Sequence, residues 1–409
     1  MDKTVNVAID VGTTKICTLI SQVEDESRFQ ILGVGIEPTL GLKKGQVVDV
    51  KTSSEAIARS IKKAERAAGM EITNAVVSLA GAHITSTNNK ATVGITGGII
   101  GTYDVERVLD AVKAIPTPSG RRIIHTMQRG FSVDGLDGVR NPEGMYGTRL
   151  DVEAHVIMAS ESSVENLRQA VMGAEVDVRE FVLNPIADAE VLLTDVEKKM
   201  GVAVLDFGGG TTDLAIYIEG EVWHSSVIPV GGGHISADIS QAFHVPADQA
   251  EEVKRLHGHA LPEYVDDEEF FYCRTFGKDE AARFSRKQLA EVIQYRTEEI
   301  FQLVRQEIKR SGFDNLLPAG VVLTGGSSLL PGVEELGRRV LELPVRSAKP
   351  EHLTGMVDQL DSPAYTTAVG MLYWGIQMQD AANSVKEVKA TQKKGAKAFL
   401  NKLWHDLLP

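Results

Sequence analysis

Two cysteines in 409 residues, Cys17 and Cys273, leave this chain without a disulfide framework or a thiolate metal site. They stand far apart, and reduced thiols in a cytosolic setting are the expectation. A basic excess is missing as well. The 43 Lys and Arg against 56 Asp and Glu give a net charge of −13, which argues against general nucleic-acid binding. No apolar run approaches the ~18 residues that cross a bilayer, so no transmembrane span is expected. The first twenty residues place Asp10 beside a glycine turn where a leader would need an apolar core, and no signal peptide is expected. What remains is globular: 43% apolar and 24% charged residues, with chain enough for two or more domains.

The stretch that organises the rest is Val202–Tyr217, VAVLDFGGGTTDLAIY. It opens as a buried strand closed by Asp206. Gly208, Gly209 and Gly210 then make a turn that no side chain obstructs, followed by Thr211, Thr212 and a second apolar run. A strand–glycine turn–strand hairpin aims backbone N–H groups inward, and such a nest suits phosphate. The threonine hydroxyls add donors, while Asp206 and Asp213 bring the charge that holds Mg2+ and its waters. A glycine-rich hairpin taken singly is more often a plain turn. Here it occurs twice.

The second occurrence opens the chain. Val5–Ile20, VNVAIDVGTTKICTLI, repeats the order of apolar strand, Asp10, Gly12, Thr13, Thr14 and apolar strand. A repeat at this separation is no solenoid period. It implies two related halves that face each other, each offering a phosphate turn and an aspartate to one nucleotide.

Between and beyond the hairpins the pattern is α/β. Ile31–Gly35 reads as a strand, and Thr52-Ser-Ser-Glu55 as a capping box ahead of Ile57, Ile61, Ala64 and Ala68 at helical spacing. Ala75–Leu79 returns as a buried strand. From about His83 to Ser163 the texture changes to an α+β insertion, with a helix near Asp104–Ala114 and strands at Arg122–Phe131 and Arg149–Ala159. His83, His125 and His155 are polar-flanked and read as surface or edge histidines, and contact rather than chemistry is the expected role of the insertion. Glu161–Gly173 reads as a helix, Phe181–Leu183 as a short strand and Pro185–Glu197 as a helix. After Gly231-Gly232-Gly233 a mostly helical segment runs to Gly312, including a short helix through Ala250–Gly258 and a long one at Lys287–Ser311. The strand Val321–Leu323 leads into Thr324, Gly325, Gly326 and Ser327, where glycine lets the backbone approach a flat or charged group. Ala364–Gly375 reads as a last helix.

Residues 380–397 carry Lys386, Lys389, Lys393, Lys394 and Lys397, and read as a basic linker. In AFLNKLWHDLL, Phe399, Leu400, Leu403, Trp404, Leu407 and Leu408 share one helical face, with the polar residues opposite. A helix docked on the protein's own core is one reading. A flexible basic tether ending in a Trp–Leu face favours the other, an interfacial helix on an anionic membrane surface.

The three motifs together, Asp10-x-Gly-Thr-Thr, Asp206-x-Gly-Gly-Gly-Thr-Thr and Thr324-Gly-Gly-Ser-Ser, resemble the phosphate and adenosine motifs of the actin, DnaK-type chaperone and sugar-kinase fold. The insertion, basic linker and terminal amphipathic helix make the whole chain similar to the FtsA family of actin-like bacterial division proteins. The resemblance implies a duplicated α/β fold around an ATP and Mg2+ cleft, with Asp10 and Asp206 on the metal side. It also implies that Gly12, Thr13 and Thr14, with Gly208 to Thr211, hold phosphates. Glu251, Lys254, Arg255, Gly325, Gly326 and Ser327 would meet adenosine, and Lys15 is left open. The expected divisions are 1–82 with 164–198 and 361–380 as the first half and 83–163 as the insert. Residues 199–230 with 312–360 form the second half, 231–311 a helical subdomain, 381–397 the linker and 398–409 the anchor.

The implied role is a self-associating adaptor that ties the FtsZ ring to the membrane and recruits later division proteins through the insert. Arg296 is the implied contact for the FtsZ C-terminal tail. Read from the residues alone, it sits at the edge of an apolar stripe of Leu289, Val292, Ile293, Ile300, Leu303, Val304 and Ile308, able to snorkel or to pair with Glu299. One departure stands out: Asn184 lies where the chaperones carry a glutamate, and an amide cannot take a proton. ATP turnover is therefore expected to be slow. Alternatives on the same fold are a small-molecule kinase and an FtsA-like pilus-assembly ATPase.

Overall fold

Each hairpin becomes the centre of its own mixed sheet. The computed structural model describes residues 5–378 apart from 26–27, 115, 278–279 and 352. In the first half, Val5–Val11 pairs antiparallel with Lys15–Asp25 and parallel with Asn74–Leu79, inside a six-stranded sheet. In the second, Val202–Phe207 pairs antiparallel with Thr212–Ile218 and parallel with Val321–Thr324, inside a five-stranded one. The sequence repeat is thus a repeat of topology, and the expected duplicated α/β architecture is what the chain adopts. Every residue of Val202–Phe207 is buried, which is why this strand is a continuous apolar run broken only by Asp206 and does not alternate.

Helix Val50–Ala68 lies across strand Arg28–Pro38 at very close range. A Cβ on Gly35 would sit 1.9 Å from the Ser60 carbonyl oxygen, and one on Gly33 would sit 2.2 Å from that of Ala64. The helix begins earlier than the expected capping box. Asp49 is the N-cap and accepts from the backbone N–H of Thr52 at 3.0 Å and from its hydroxyl at 2.7 Å. A carboxylate taking both donors of Thr52 leaves no cap for Thr52 itself to make. The stop at Gly69, in the left-handed region, is as the sequence indicates.

The insert is a four-stranded sheet, ordered Thr85–Gly94, Arg149–Ser160, Arg121–Val133, Leu136–Val139, with helix Thr102–Lys113 closing a small core. Thr85–Gly94 was not expected as a strand. Its residues are mostly polar because it forms an edge of its sheet and buries none of them fully. The insert's histidines correct another expectation. His83, His125 and His155 are all buried, and burial pulls them down to about 4, 4 and 3, respectively, so they are neutral near pH 7.

The expected helix over 185–197 is two helices, Asn184–Leu192 and Asp195–Met200, because Thr194 and Glu197 make a capping box that starts a second one. The segment read as helical also holds a β-hairpin, Phe270–Arg274 with Ala281–Ser285. Helix Arg286–Ser311 matches expectation, with Leu289, Ile293, Ile300, Val304 and Ile308 buried. A helix over 366–378 brings the chain back to the first half and buries Ala368, Val369, Met371, Leu372 and Ile376. Among the described residues no helix is long and apolar enough to cross a membrane. The basic linker and the face of Phe399, Leu400, Leu403, Trp404, Leu407 and Leu408 lie outside them.

Replacing Gly35 by Val forces a side chain into the backbone of the covering helix. We expect a loss of about 3 kcal/mol or more in denaturant unfolding, the upper end of overpacking costs. A loss below about 1 kcal/mol would contradict this packing.

Candidate functional site

The two glycine–threonine turns meet tip to tip. A Cβ on Gly209 would lie 2.4 Å from Cγ2 of Thr14, and one on Gly210 would lie 2.6 Å from Oγ1 of Thr13. Glycine at these positions lets the opposite threonines enter. Behind the tips each turn is closed by its own backbone, with the Gly12 N–H donating to the Lys15 carbonyl and that of Gly208 to Thr211, both at 3.0 Å. The second tip is also tied to the strand-following glycines. Gly232 donates to Gly208 O at 2.9 Å, Gly233 to Gly209 O at 2.7 Å, and Ser327 Oγ to Gly208 O at 3.0 Å.

Beside the tips opens a cleft of about 760 Å³. Thr14, Gly209, Glu251, Lys254, Arg255, Gly326 and Ser327 line it, so all three expected motifs reach one cavity. Asp10, Gly12, Thr13, Asp206, Gly208, Gly210, Thr211 and Gly325 are outside the lining and build its supports. Gly325 (φ 86°) approaches so closely that a Cβ would lie 2.2 Å from Asp206 Oδ1. The sequence reading did not single out Gly232, Gly233, Leu330 or Tyr365 as part of the cleft, nor settle Lys15. Lys15 Nζ sits 4.7 Å over the Tyr365 ring. The sequence signal for Gly232 and Gly233 was present, a third glycine run just after the second sheet's edge strand.

Lys254 is consumed by positioning. Its ammonium donates to Gly232 O at 2.9 Å, Ser236 Oγ at 2.9 Å and Glu251 Oε2 at 2.7 Å. Burial alone would raise the Glu251 carboxyl, but Lys254 and Ser236 hold it below the usual carboxylate range. This wall therefore presents a fixed anion and a cation already neutralised by it.

Beneath its lining the cleft rests on an acidic cluster. Asp10, Asp188, Asp206 and Asp213 are all buried. Burial, then the charge of Asp10, pushes Asp206 up to about 6, and burial and neighbouring carboxyls push Asp188 and Asp213 well above the ordinary value. Asn184 Nδ2 donates to Asp206 Oδ2 at 3.4 Å. Asp10 Oδ1, Asn184 Oδ1, Asp188 Oδ2 and Asp213 Oδ1 are buried without a protein partner. Among the described residues no three carboxylates, imidazoles or thiolates are grouped so as to hold a metal directly, so a divalent cation here would reach these orphaned oxygens only through its waters. Of the two acids near Asn184 in sequence, only Asp188 joins this floor. Glu190 turns away to Lys198 and Gln377.

Arg296 lies elsewhere, on helix Arg286–Ser311. Its guanidinium forks onto Asp238 at 2.5 and 3.0 Å and pairs with Glu299. The Glu299 pair was legible from the i,i+3 spacing, and the Asp238 pair, 58 residues away, was not.

Two family models match the chain: one described as cell division protein FtsA over residues 203–370, and one described as the SHS2 domain inserted in FTSA over residues 81–158. Cell division protein FtsA of Pseudomonas aeruginosa is 38% identical over 379 residues, covering 93% of this chain and 91% of that protein. A solved chain of a PilM-PilN type IV pilus biogenesis complex superposes with a TM-score of 0.66 at 17% identity, over 91% of this chain and 98% of its own. MreB5 of Spiroplasma citri bound to ADP gives a TM-score of 0.55 at 15% identity, over 93% and 98%. At those identities the structural likeness speaks of fold alone, and that fold is actin-like.

The raised Asp206 yields a stability test. An acid that binds its proton more tightly when folded contributes stability at low pH, lost as pH rises from 3.8 towards about 6. Asp206→Asn should therefore raise the melting temperature of the ligand-free chain near neutral pH, by roughly 2–4 °C. It should also flatten the pH dependence between pH 4 and 6. A variant no more stable than wild type at pH 7 would remove Asp206 from the destabilising cluster.

Proposed function

This chain belongs to the FtsA family of cell division proteins, and from that premise we propose that it is an ATP-binding adaptor that assembles into filaments and tethers the FtsZ ring to the cytoplasmic membrane. The observation that carries the nucleotide reading is the convergence of two glycine–threonine turns and one glycine loop on a single cleft above an acidic floor. The turns offer N–H groups to phosphates. Glu251, Arg255, Gly326 and Ser327 offer their edges to adenosine, with Lys254 fixing Glu251. Mg2+, when bound, would neutralise phosphate charge above Asp10 and Asp206. Asn184 donates to Asp206 and cannot accept a proton, so ATP acts as a conformational ligand with slow turnover. The kinase and pilus-assembly readings draw on the shared fold only. The same Asp206→Asn variant tests the nucleotide reading: Mg-ATP should raise the melting temperature of wild type and leave the variant unmoved. Equal stabilisation of both would overturn it.

The membrane reading rests on the sequence of the tail. A single short amphipathic helix binds marginally, so avidity from many tails on one filament, helped by the linker lysines, supplies the rest. The full chain should sediment with vesicles containing anionic lipid. A chain ending at Asp380, and the Trp404→Glu variant, should stay in the supernatant. Undiminished sedimentation of either would contradict the anchor.

For the FtsZ tail, the fork on Asp238 is informative because Arg296 already grips a carboxylate, bidentately, within the chain. An incoming acidic tail would exchange with Asp238. Arg296→Ala should weaken binding of an FtsZ tail peptide at least tenfold, while Asp238→Asn should strengthen it several-fold by freeing the guanidinium. If the two variants moved affinity together, or not at all, Arg296 would return to a purely structural ion pair.

A further inference from the structure

The insert is covalently part of the first half, entering after strand Asn74–Leu79 and leaving into helix Glu161–Met172. It is seated there by His125, which accepts from the Leu183 N–H at 3.3 Å and packs edge-on against Trp374. Its opposite side is only partly open to solvent. It lies against Glu221–Ile228, the edge strand of the second half's sheet.

That contact is largely polar, although Trp223 Nε1 and Arg129 Nε within it have no hydrogen-bond partner. Ser86 Oγ donates to Ser225 O at 2.7 Å, and Asn88 Nδ2 donates to Trp223 O at 3.2 Å. His155 closes the set, with Nδ1 at 2.7 Å from Asn88 Oδ1 and Nε2 at 2.9 Å from Ser225 Oγ. At 1% exposure, the neutral imidazole with its proton on Nδ1 satisfies both partners. Arg129 covers the Trp223 ring at 4.0 Å. The seam thus adds to the other joints between the halves, among them the meeting tips, the core that packs Val202, Val204 and Tyr217 with first-half residues, and the chain crossings near residues 193–201 and 348–363.

The consequence concerns the cleft. With this contact made, the glycine–threonine tips are interlocked. A rotation that separates the tips must slide the insert along the edge strand and strip the buried His155 and Ser225 of partners, which costs more than the bonds' net worth. We propose that the insert is a clamp: its polar seam with the second half holds the cleft closed, and loss of the seam opens the cleft and speeds ligand exchange. The ligand part of this inference rests on the nucleotide reading above; the clamp itself does not.

Two measurements on the full chain test it. Ser86→Ala combined with Asn88→Ala removes seam bonds from positions outside the core, and His155→Leu removes the buried link. The first is release of a fluorescent ATP analogue, chased with unlabelled ATP. Release should be about fivefold faster or more in folded variants, the effect of losing about one net hydrogen bond. The second is hydrogen exchange without nucleotide. Amides of residues 12–15 and 208–211, remote from the substitutions, should exchange faster. Wild-type release rates, or faster exchange confined to the seam itself, would overturn the clamp. If the wild-type chain bound no analogue, the nucleotide reading would fall, and the exchange measurement alone would decide the clamp.

Discussion

Everything at the cleft depends on two absent side chains. Gly209 and Gly210 receive the methyl and hydroxyl groups of Thr14 and Thr13, and any Cβ there would meet them inside contact distance. Were the tips held apart, Ser327 and the Gly232–Gly233 amides would still grip the second hairpin, but the first would no longer form the facing wall. The pairing of the hairpins is therefore a steric condition set by glycine, and the repeated sequence supplies the same turn twice so that one can fit the other.

Beneath that fit lies a deliberate instability. Four buried carboxyls share the floor, and several of their oxygens have no protein partner. Such an arrangement does not help the chain fold. It persists because the surrounding sheets bury enough apolar surface to tolerate it. The Lys254–Glu251–Ser236 knot is the opposite case: every donor of the ammonium is used, so this wall is rigid before any ligand arrives.

Much of this was legible in the sequence, and the failures have physical causes. The hairpins, the long helix and the glycine stops follow from local periodicity and from positions where only glycine suits. Lys254 and Ser327 were expected in the cleft, but their distant partners Gly232, Ser236 and Gly208 lie 18 to 119 residues away and were not legible. Strand Thr85–Gly94 escaped because an exposed edge strand needs no apolar alternation. The hairpin at Phe270–Ser285 escaped because its inner face is short, Phe271, Cys273 and Phe284. The expected capping box lost to Asp49, a stronger acceptor three residues earlier. The insert's histidines looked like surface residues because their covers come from elsewhere: Gln46 at His83, the Leu183 backbone at His125 and Ser225 at His155. No window of sequence contains those pairs.

The seating of the insert gives the molecule an optical property of its own. The chain has three tryptophans. Trp223 lies under the Arg129 guanidinium on one side of the insert, and Trp374 lies against the His125 ring on the other. The third, Trp404, belongs to the tail. Indole emission shifts with the polarity and charge around the ring, so each attachment of the insert carries a native fluorophore, and the colour of the protein's own ultraviolet emission encodes where the insert sits.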